Sequence, residues 1–195
     1  NAGFAKKVQD AGLTFIGPRP EAIEAMGSKS KAKDIMRQHE VPVIPGYQGD
    51  DQSIETLSAE AVKIGFPVLL KAAAGGGGKG MRIVEAEKEL KTSIDAAKRE
   101  AASADDELII EKYFPISRHI EFQIFGDKHG NAIHVLEREC SIQRRYQKII
   151  EESPSPALSD ALRNEMGAAA VRAAKSLKYD NAGTVAFILS DNNEL

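Results

Sequence analysis

The chain has 195 residues, 42% of them hydrophobic, which supplies apolar material for one large domain or two small ones. Its 26 basic and 29 acidic side chains leave a net charge of -3, which argues against non-specific nucleic-acid binding, whose usual footprint is a basic excess. A single cysteine, Cys140, excludes an internal disulfide and fits a reducing compartment. No apolar run approaches the ~20 residues that span a bilayer, and the given residues are not expected to include a signal peptide. The ends, "NAGFAKK" and "SDNNEL", read as cuts in a longer protein.

Patterning at the start predicts a helix over "AGFAKKVQDAG", ending at Gly12, then a short buried strand in "LTFIG". Two prolines precede a short helix, "EAIEAMG", closed by Gly27. Ser28 is placed to cap "KSKAKDIMRQHE", and "VPVIPGY" is an extended connection because of its prolines. Ser53 caps the next helix, on which Ile54, Leu57, Ala61 and Ile64 share a face, and Gly65 stops it. "PVLLKAA" and "MRIV" read as strands on either side of the glycine run. Leu90, Ile94, Ala97 and Ala101 mark an amphipathic helix, and "ELIIEKYF" is a further strand.

"RHIEFQIFG" alternates, with Ile120, Phe122 and Ile124 on one face and His119, Glu121 and Gln123 on the other. "DKHGN" turns it into the returning strand "AIHVLERE". "CSIQRRYQKIIEE" is strand-like and heavily charged, with Ile142, Ile149 and Ile150 expected to be partly buried within it. Gln143 and Lys148 differ in parity, so one regular strand would send them to opposite faces, and a shared site requires a bulge or bend. "SPSP" breaks this run, Ser159 caps a long helix carrying Leu162, Met166, Ala169, Ala173 and Leu177, and "TVAFIL" is the last strand. The order of elements predicts an α+β fold with antiparallel sheets and a small glycine-loop subdomain.

"KAAAGGGGKGM", from Lys71 to Met81, is the stretch that most needs a reason, because glycine loses the most backbone freedom on folding. A glycine hairpin tip brings bare backbone N–H groups close to phosphate oxygens, and Lys71 and Lys79 supply charge. It is neither a Walker A loop nor a dinucleotide fingerprint, since both lead into a helix; a mere surface hairpin tip is the alternative. Cys140 reads as a small buried residue, and His129 and His134 lack metal-ligand spacing. The polar faces around Glu111 and His119, taken alone, fit solvated sheet surface better than a binding face.

Together, "FIGPRPEAIEAMGSKSKAK", "PVLLKAAAGGGGKGMRIV", "IIEKYFPISRHIEFQIFGDKHGNAIHVLERECSIQRRYQKIIEESPSP" and "AGTVAFIL" resemble the biotin carboxylase component of biotin-dependent carboxylases, ATP-grasp enzymes, over essentially the whole chain. Within that family "GYQGDDQS" is most similar to the methylcrotonoyl-CoA branch. The resemblance implies three regions: the end of an N-terminal domain over 1–42, a lid subdomain over 43–113 and the start of a C-terminal subdomain over 114–195. It implies ATP, Mg2+ and bicarbonate as ligands, and biotin on a carrier domain as substrate. It also implies a carboxyltransferase partner, a homo-oligomeric full-length protein, and a mitochondrial matrix or bacterial cytoplasmic location.

By the same resemblance, Lys29 and Lys71 reach the nucleotide phosphates, and Gly77 and Gly78 belong to a lid over them. Glu111, Lys112, Tyr113 and Phe114 hold adenine, His119 and Gln143 lie at the ribose, and Lys148 holds bicarbonate as the catalytic cation. Two positions depart from the family. Tyr146 stands in "RRYQK" where a nucleotide-contacting histidine is usual, and Ala186 stands in "GTVAF" where a Mg2+-binding glutamate is usual. The 195 residues alone are expected to lack the remaining catalytic groups. Two further readings are open: a catalytically impaired nucleotide-binding or assembly module, and a carbamoyl phosphate synthetase-like ATP-grasp ligase.

Overall fold

The computed structural model describes residues 1–27, 29–72, 81–100, 107–144 and 147–191, without the side chains of Lys29, Ser30, Ala72 and Glu100. In chain order the elements are α1 (Ala2–Asp10), α2 (Pro20–Gly27), α3 (Lys29–Gln38), β1 (Gly46–Tyr47), α4 (Ile54–Ile64), β2 (Val68–Ala72), β3 (Arg82–Val84), α5 (Glu87–Glu100), β4 (Leu108–Lys112), β5 (Ser117–Gly126), β6 (Ala132–Arg144), β7 (Gln147–Glu152), α6 (Asp160–Ser176) and β8 (Asn181–Ser190). They divide into two compact units, one formed by Asn1–Val43 with Ser117–Leu195 and the other by Ile44–Ile116. No helix among the described residues is long and apolar enough to cross a membrane.

The Ile44–Ile116 unit is a four-stranded antiparallel sheet, ordered β1-β4-β2-β3, with α4 and α5 on one face. Ser53 starts α4 by accepting the Thr56 N–H at 3.2 Å, and Gly65 ends it at φ 84°, a left-handed angle that disfavours a side chain. Val68 and Leu70, then Leu108 and Ile110, alternate toward the helices and meet Leu57, Leu90 and Ile94 in a closed core. The opposite parity, Leu69, Lys71, Ile109 and Glu111, faces away from the helices. β2 and β3 pair antiparallel from Val68↔Val84 to Leu70↔Arg82, so they flank the glycine run as a hairpin. Gly77 and Gly78 themselves lie outside the described residues.

The other unit is built on a second antiparallel sheet, ordered β7-β6-β5-β8. Ile120, Phe122 and Ile124 turn toward α6, where Met166, Ala169, Ala170 and Ala174 receive them together with Phe187 and Leu189 of β8. Small alanines let the helix sit close to the sheet. Phe122 is edge-on to Phe187, with ring centroids 6.0 Å apart. Ser159 caps α6 through the Leu162 N–H at 3.3 Å.

Two expectations are corrected. "LTFIG" is not a strand: Leu13 and Ile16 are 65% and 87% exposed and pair with no strand among the described residues. The charged run forms two strands, β7 returning antiparallel on β6, which is the bend that a shared site for Gln143 and Lys148 requires. Ile142, Ile149 and Ile150 are 55%, 59% and 55% exposed. Burial goes instead to carboxylates just before the run, on β6: Glu137 and Glu139 point to the α6 side, and Arg163 of α6 meets Glu137 at 2.9 and 3.1 Å. A charge so placed persists only when paired.

Truncating Phe122 to Ala should cost about 3–5 kcal/mol, the usual range for emptying an aromatic core position. Urea unfolding followed by circular dichroism checks this, and a loss under about 1 kcal/mol would mean that the ring does not organise this core.

Candidate functional site

On the Ile44–Ile116 unit, Lys71 of β2 ion-pairs with Glu111 of β4 on the face away from the helices. In the register Glu111 lies opposite Leu69, so the pair is diagonal across the two strands. Glu111 is 6% exposed, and Lys71 neutralises it where water does not. Lys112 has the opposite parity. Its ammonium donates to the carbonyls of Gly65 and Phe66, each at 2.9 Å, and so braces the α4–β2 turn. The Lys112 N–H donates to Pro45 O at 2.8 Å and the Tyr113 N–H to Pro67 O at 3.1 Å. Both donors of this strand end are therefore engaged within the protein. Tyr113 and Phe114 are half-buried at the exit of β4.

On the other unit, the face of the sheet opposite α6 carries His119, Glu121 and Gln123 of β5. Glu121 sits in a cross-strand row, with Arg138 opposite on β6 and Ala186 opposite on β8. It is 5% exposed and takes two cations. Lys148 of β7 pairs with its Oε2, while Arg138 approaches Oε1 through Nε at 2.9 Å and Nη2 at 2.7 Å. Arg138 Nη1 also donates to Gln123 Oε1 at 3.2 Å, and Gln123 Nε2 donates to Gly183 O at 2.8 Å. Burial pushes the Glu121 carboxyl up, but hydrogen bonds and charge from Lys148 and Arg138 outweigh it and hold the group below its ordinary value. The same bond to Glu121 holds Lys148 above its ordinary value.

The antiparallel return of β7 makes Gln143 and Lys148 direct cross-strand partners, which answers their difference in parity. Gln143 Nε2 donates to His119 Nδ1 at 2.9 Å and to Cys140 O at 2.7 Å. That leaves the His119 Nε2–H as the ring's donor, without a partner among the described residues. Burial, and then the Lys148 charge, lower the His119 pKa, so the ring is neutral near pH 7.

Of the residues expected at a site, His119, Gln143 and Lys148 are therefore brought together on one unit, and Lys71 and Glu111 on the other. Lys29 begins α3, but its side chain, together with Gly77, Gly78 and Tyr146, lies outside the described residues. Glu121 and Arg138 were not among the expected site residues. The alternation that puts Glu121 beside His119 on one strand face is the signal that could have found the first. The cross-strand register, which no single sequence reveals, was needed for the second.

Magnesium requires oxygen donors. Ala186 offers none, and both oxygens of its neighbour Glu121 are engaged by Lys148 and Arg138. This strand pair does not fit a Mg2+ ion. Ligand atoms of Glu121, Cys140 and Glu151 also lie within 4.8 Å of one another. Yet Glu121 is already paired, Arg138 comes within 3.9 Å of Glu151, and burial pushes the Cys140 thiol up, so it stays protonated. The cluster is ionic rather than metal-binding.

Residues 28–195 match the family described as carbamoyl-phosphate synthase L chain, ATP binding domain. The chain belongs to that family. It is 56% identical over 195 residues to the Dictyostelium discoideum mitochondrial methylcrotonoyl-CoA carboxylase subunit alpha, covering 99% of this chain and 28% of that one. It is 48% identical to biotin carboxylase 1 of Bacillus subtilis, covering 100% of this chain and 44% of the relative. The Campylobacter jejuni biotin carboxylase, solved as a complex with β,γ-ATP, superposes with a TM-score of 0.90 at 46% identity. The biotin carboxylase domain of Hydrogenobacter thermophilus 2-oxoglutarate carboxylase, solved with MgADP, ADP and bicarbonate, superposes with a TM-score of 0.89 at 45% identity. Each solved structure covers 100% of this chain and is itself 44% covered. The fold of this family member is thus α+β ATP-grasp, and the chain spans between about a quarter and a half of the relatives it matches.

The sign of the Glu121 shift gives a pH prediction. Because its folded-state pKa is depressed, the pairing stabilises above the ordinary carboxylate range, and the benefit is lost as pH falls through the lowered folded value. Glu121→Gln should therefore be less stable than the parent at pH 7, and the gap should close below about pH 4. Urea midpoints across pH check this; a gap independent of pH would mean that the charge of Glu121 is not what holds the cluster.

Proposed function

We propose that this chain carries the nucleotide-binding part of an enzyme that carboxylates biotin at the expense of ATP and bicarbonate. The observation that carries the proposal is the superposition of the entire chain, at 45–46% identity, on two biotin carboxylase structures solved with an adenine nucleotide, one of them also with magnesium and bicarbonate. The proposed labels are 1–42 for the end of an N-terminal domain, 43–113 for a lid subdomain and 114–195 for the start of a C-terminal subdomain.

In this reading Lys29, Lys71, Gly77 and Gly78 serve the nucleotide phosphates. Glu111, Lys112, Tyr113 and Phe114 form the adenine-binding strand end. Because the Lys112 and Tyr113 N–H groups already donate to Pro45 and Pro67, the adenine edge is met by the Phe114 N–H and by carbonyl oxygens. His119 offers its Nε2–H at the ribose with Gln143 beside it, Tyr146 is a further nucleotide contact, and Lys148 receives bicarbonate.

The chemistry explains the cations. Bicarbonate oxygen attacks the γ-phosphorus and ADP leaves, forming carboxyphosphate, which breaks down to CO2 and phosphate; the biotin ureido nitrogen then bonds to CO2 as its N–H proton passes to the phosphate. Nucleophile and electrophile are both anions, so positioned positive charge lowers the barrier more than acid–base catalysis would. Lys148 supplies that charge already oriented by Glu121. A bound Mg2+ would add Lewis-acid neutralisation of the phosphates, but the Glu121–Ala186 pair does not fit it, so no step here depends on a metal at that pair. Biotin arrives on a carrier domain and the product passes to a carboxyltransferase partner, in a homo-oligomeric protein of the mitochondrial matrix or bacterial cytoplasm. Ala186 favours a second reading, a nucleotide-binding or assembly module with impaired chemistry; turnover that rises in the intact protein on Ala186→Glu would assign the impairment to the missing ligand.

Calorimetry of ATP with this chain tests the proposal. ATP should bind, Lys71→Ala should weaken it by about tenfold or more, and adding Mg2+ should change the affinity little. A folded wild-type chain that binds no ATP would contradict the proposed function, and strong Mg2+ dependence would contradict the metal reading of Ala186.

A further inference from the structure

The arm formed by the end of β6 and by β7 has an odd construction. All six residues of β7 are exposed, and Ile142 and Ile150, its cross-strand pair, stand in solvent. The β6–β7 register shifts twice, between Glu139 and Ile142 and between Ile142 and Gln143. Neither apolar packing nor an unbroken ladder fixes this arm, yet it carries Gln143 and Lys148.

What fixes its base is polar and buried. Glu137, Glu139 and Ser155 are 1%, 4% and 2% exposed. Immediately after β7, the Ser153 hydroxyl donates to Glu137 O at 2.8 Å, the Ser155 N–H donates to Glu137 Oε1 at 3.1 Å, and the Ser155 hydroxyl donates to Glu139 Oε2 at 2.5 Å. Arg163 of α6 neutralises Glu137. The other oxygen of Glu139 accepts from Arg118 at 2.6 Å and from the Ser141 hydroxyl at 2.9 Å, and Ser141 Oγ accepts the His119 N–H at 3.1 Å. Strand exit, strand base and the backbone of His119 are thus joined through one carboxylate.

We propose that Glu139 and Ser155 are positioning residues: they form a buried latch that sets the β6–β7 arm so that Gln143 reaches its ligand beside His119. The latch itself is read from this chain's own contacts; its effect on a ligand rests on the function proposed above. Each carboxylate oxygen of Glu139 has a partner, so removal of one hydroxyl strands a buried acceptor, a change far larger than the loss of an exposed bond.

The test combines hydrogen exchange with ATP calorimetry on the 195-residue chain. In Ser155→Ala, the β7 amides should exchange about tenfold faster while those of β5 and β8 keep their protection. ATP affinity should fall about fivefold, and Ser155→Thr, which keeps the hydroxyl, should restore both. Combining Ser155→Ala with Gln143→Ala should weaken ATP no further than Gln143→Ala alone, because the latch acts through Gln143. Glu139→Gln provides a second variant with the same expected pattern. Unchanged β7 exchange, or acceleration spread evenly over all strands, would overturn the latch. Faster β7 exchange with unchanged ATP affinity would overturn its positioning role. Absence of ATP binding by the wild-type chain would refute the proposed function and the positioning role with it, while the exchange data would still report on the contacts.

Discussion

A carboxylate buried on a sheet face cannot remain charged by itself, and Glu121 is such a group. Its solution is to hold two cations, Lys148 from β7 and Arg138 from β6. Each is thereby fixed over the open face of the sheet, with Gln123, Thr184 and Gly183 tying Arg138 and its surroundings to β8. The Coulombic gain in a partly desolvated setting offsets the desolvation of the acid. A lysine held in this way loses much of its rotamer freedom before any ligand arrives, which is the kind of pre-organisation that anion chemistry exploits.

Both sheets divide their labour by face. In each, the alternate residues of one parity close a core against helices, and those of the other parity carry ionic groups. Lys71 and Glu111 do so in one unit, and Glu121 and Arg138 in the other, with the neutral ring of His119 alongside. The period of two is what makes this possible: each strand is at once a structural element and a row of functional side chains. Beneath the second sheet lies another set of charges, Glu137 and Glu139 with Arg163 and Arg118, which binds β6 to α6 and to the segment after β7. These lower charges are structural and fully paired. The upper ones keep a ring donor and a lysine at the surface.

Much of this was legible in the sequence where the signal is local. The Ser53 and Ser159 caps, the Gly65 stop and the alternation of β5 follow from neighbouring residues and short-range sterics, and they stand as expected. The antiparallel α+β class followed from hairpin turns and element order. "LTFIG" has the composition of a strand but no partner among the described residues, and apolar character does not make a strand without a neighbour to pair with. The charged run was misread because its isoleucines suggested burial, whereas burial goes to two carboxylates just before it, Glu139 and Glu137, whose arginine partners lie 21 and 26 residues away. Likewise the shared face of Gln143 and Lys148 depends on a chain reversal, and Arg138 meets Glu121 only through register. Long-range pairing is the information that periodicity does not contain.

The departure at Ala186 takes its meaning from the same geometry. It is the direct neighbour of Glu121, so this position presents a methyl group and no oxygen ligand, beside an acid already committed to two cations. Charge neutralisation on this face rests on Lys148 and Arg138. The most direct measurement of that assignment is ATP cleavage by the intact protein with free biotin, with and without bicarbonate, in the parent and in Lys148→Met. Cleavage that requires bicarbonate and falls at least about tenfold without the lysine is the expected result. Cleavage indifferent to bicarbonate, or untouched by loss of Lys148, would contradict it.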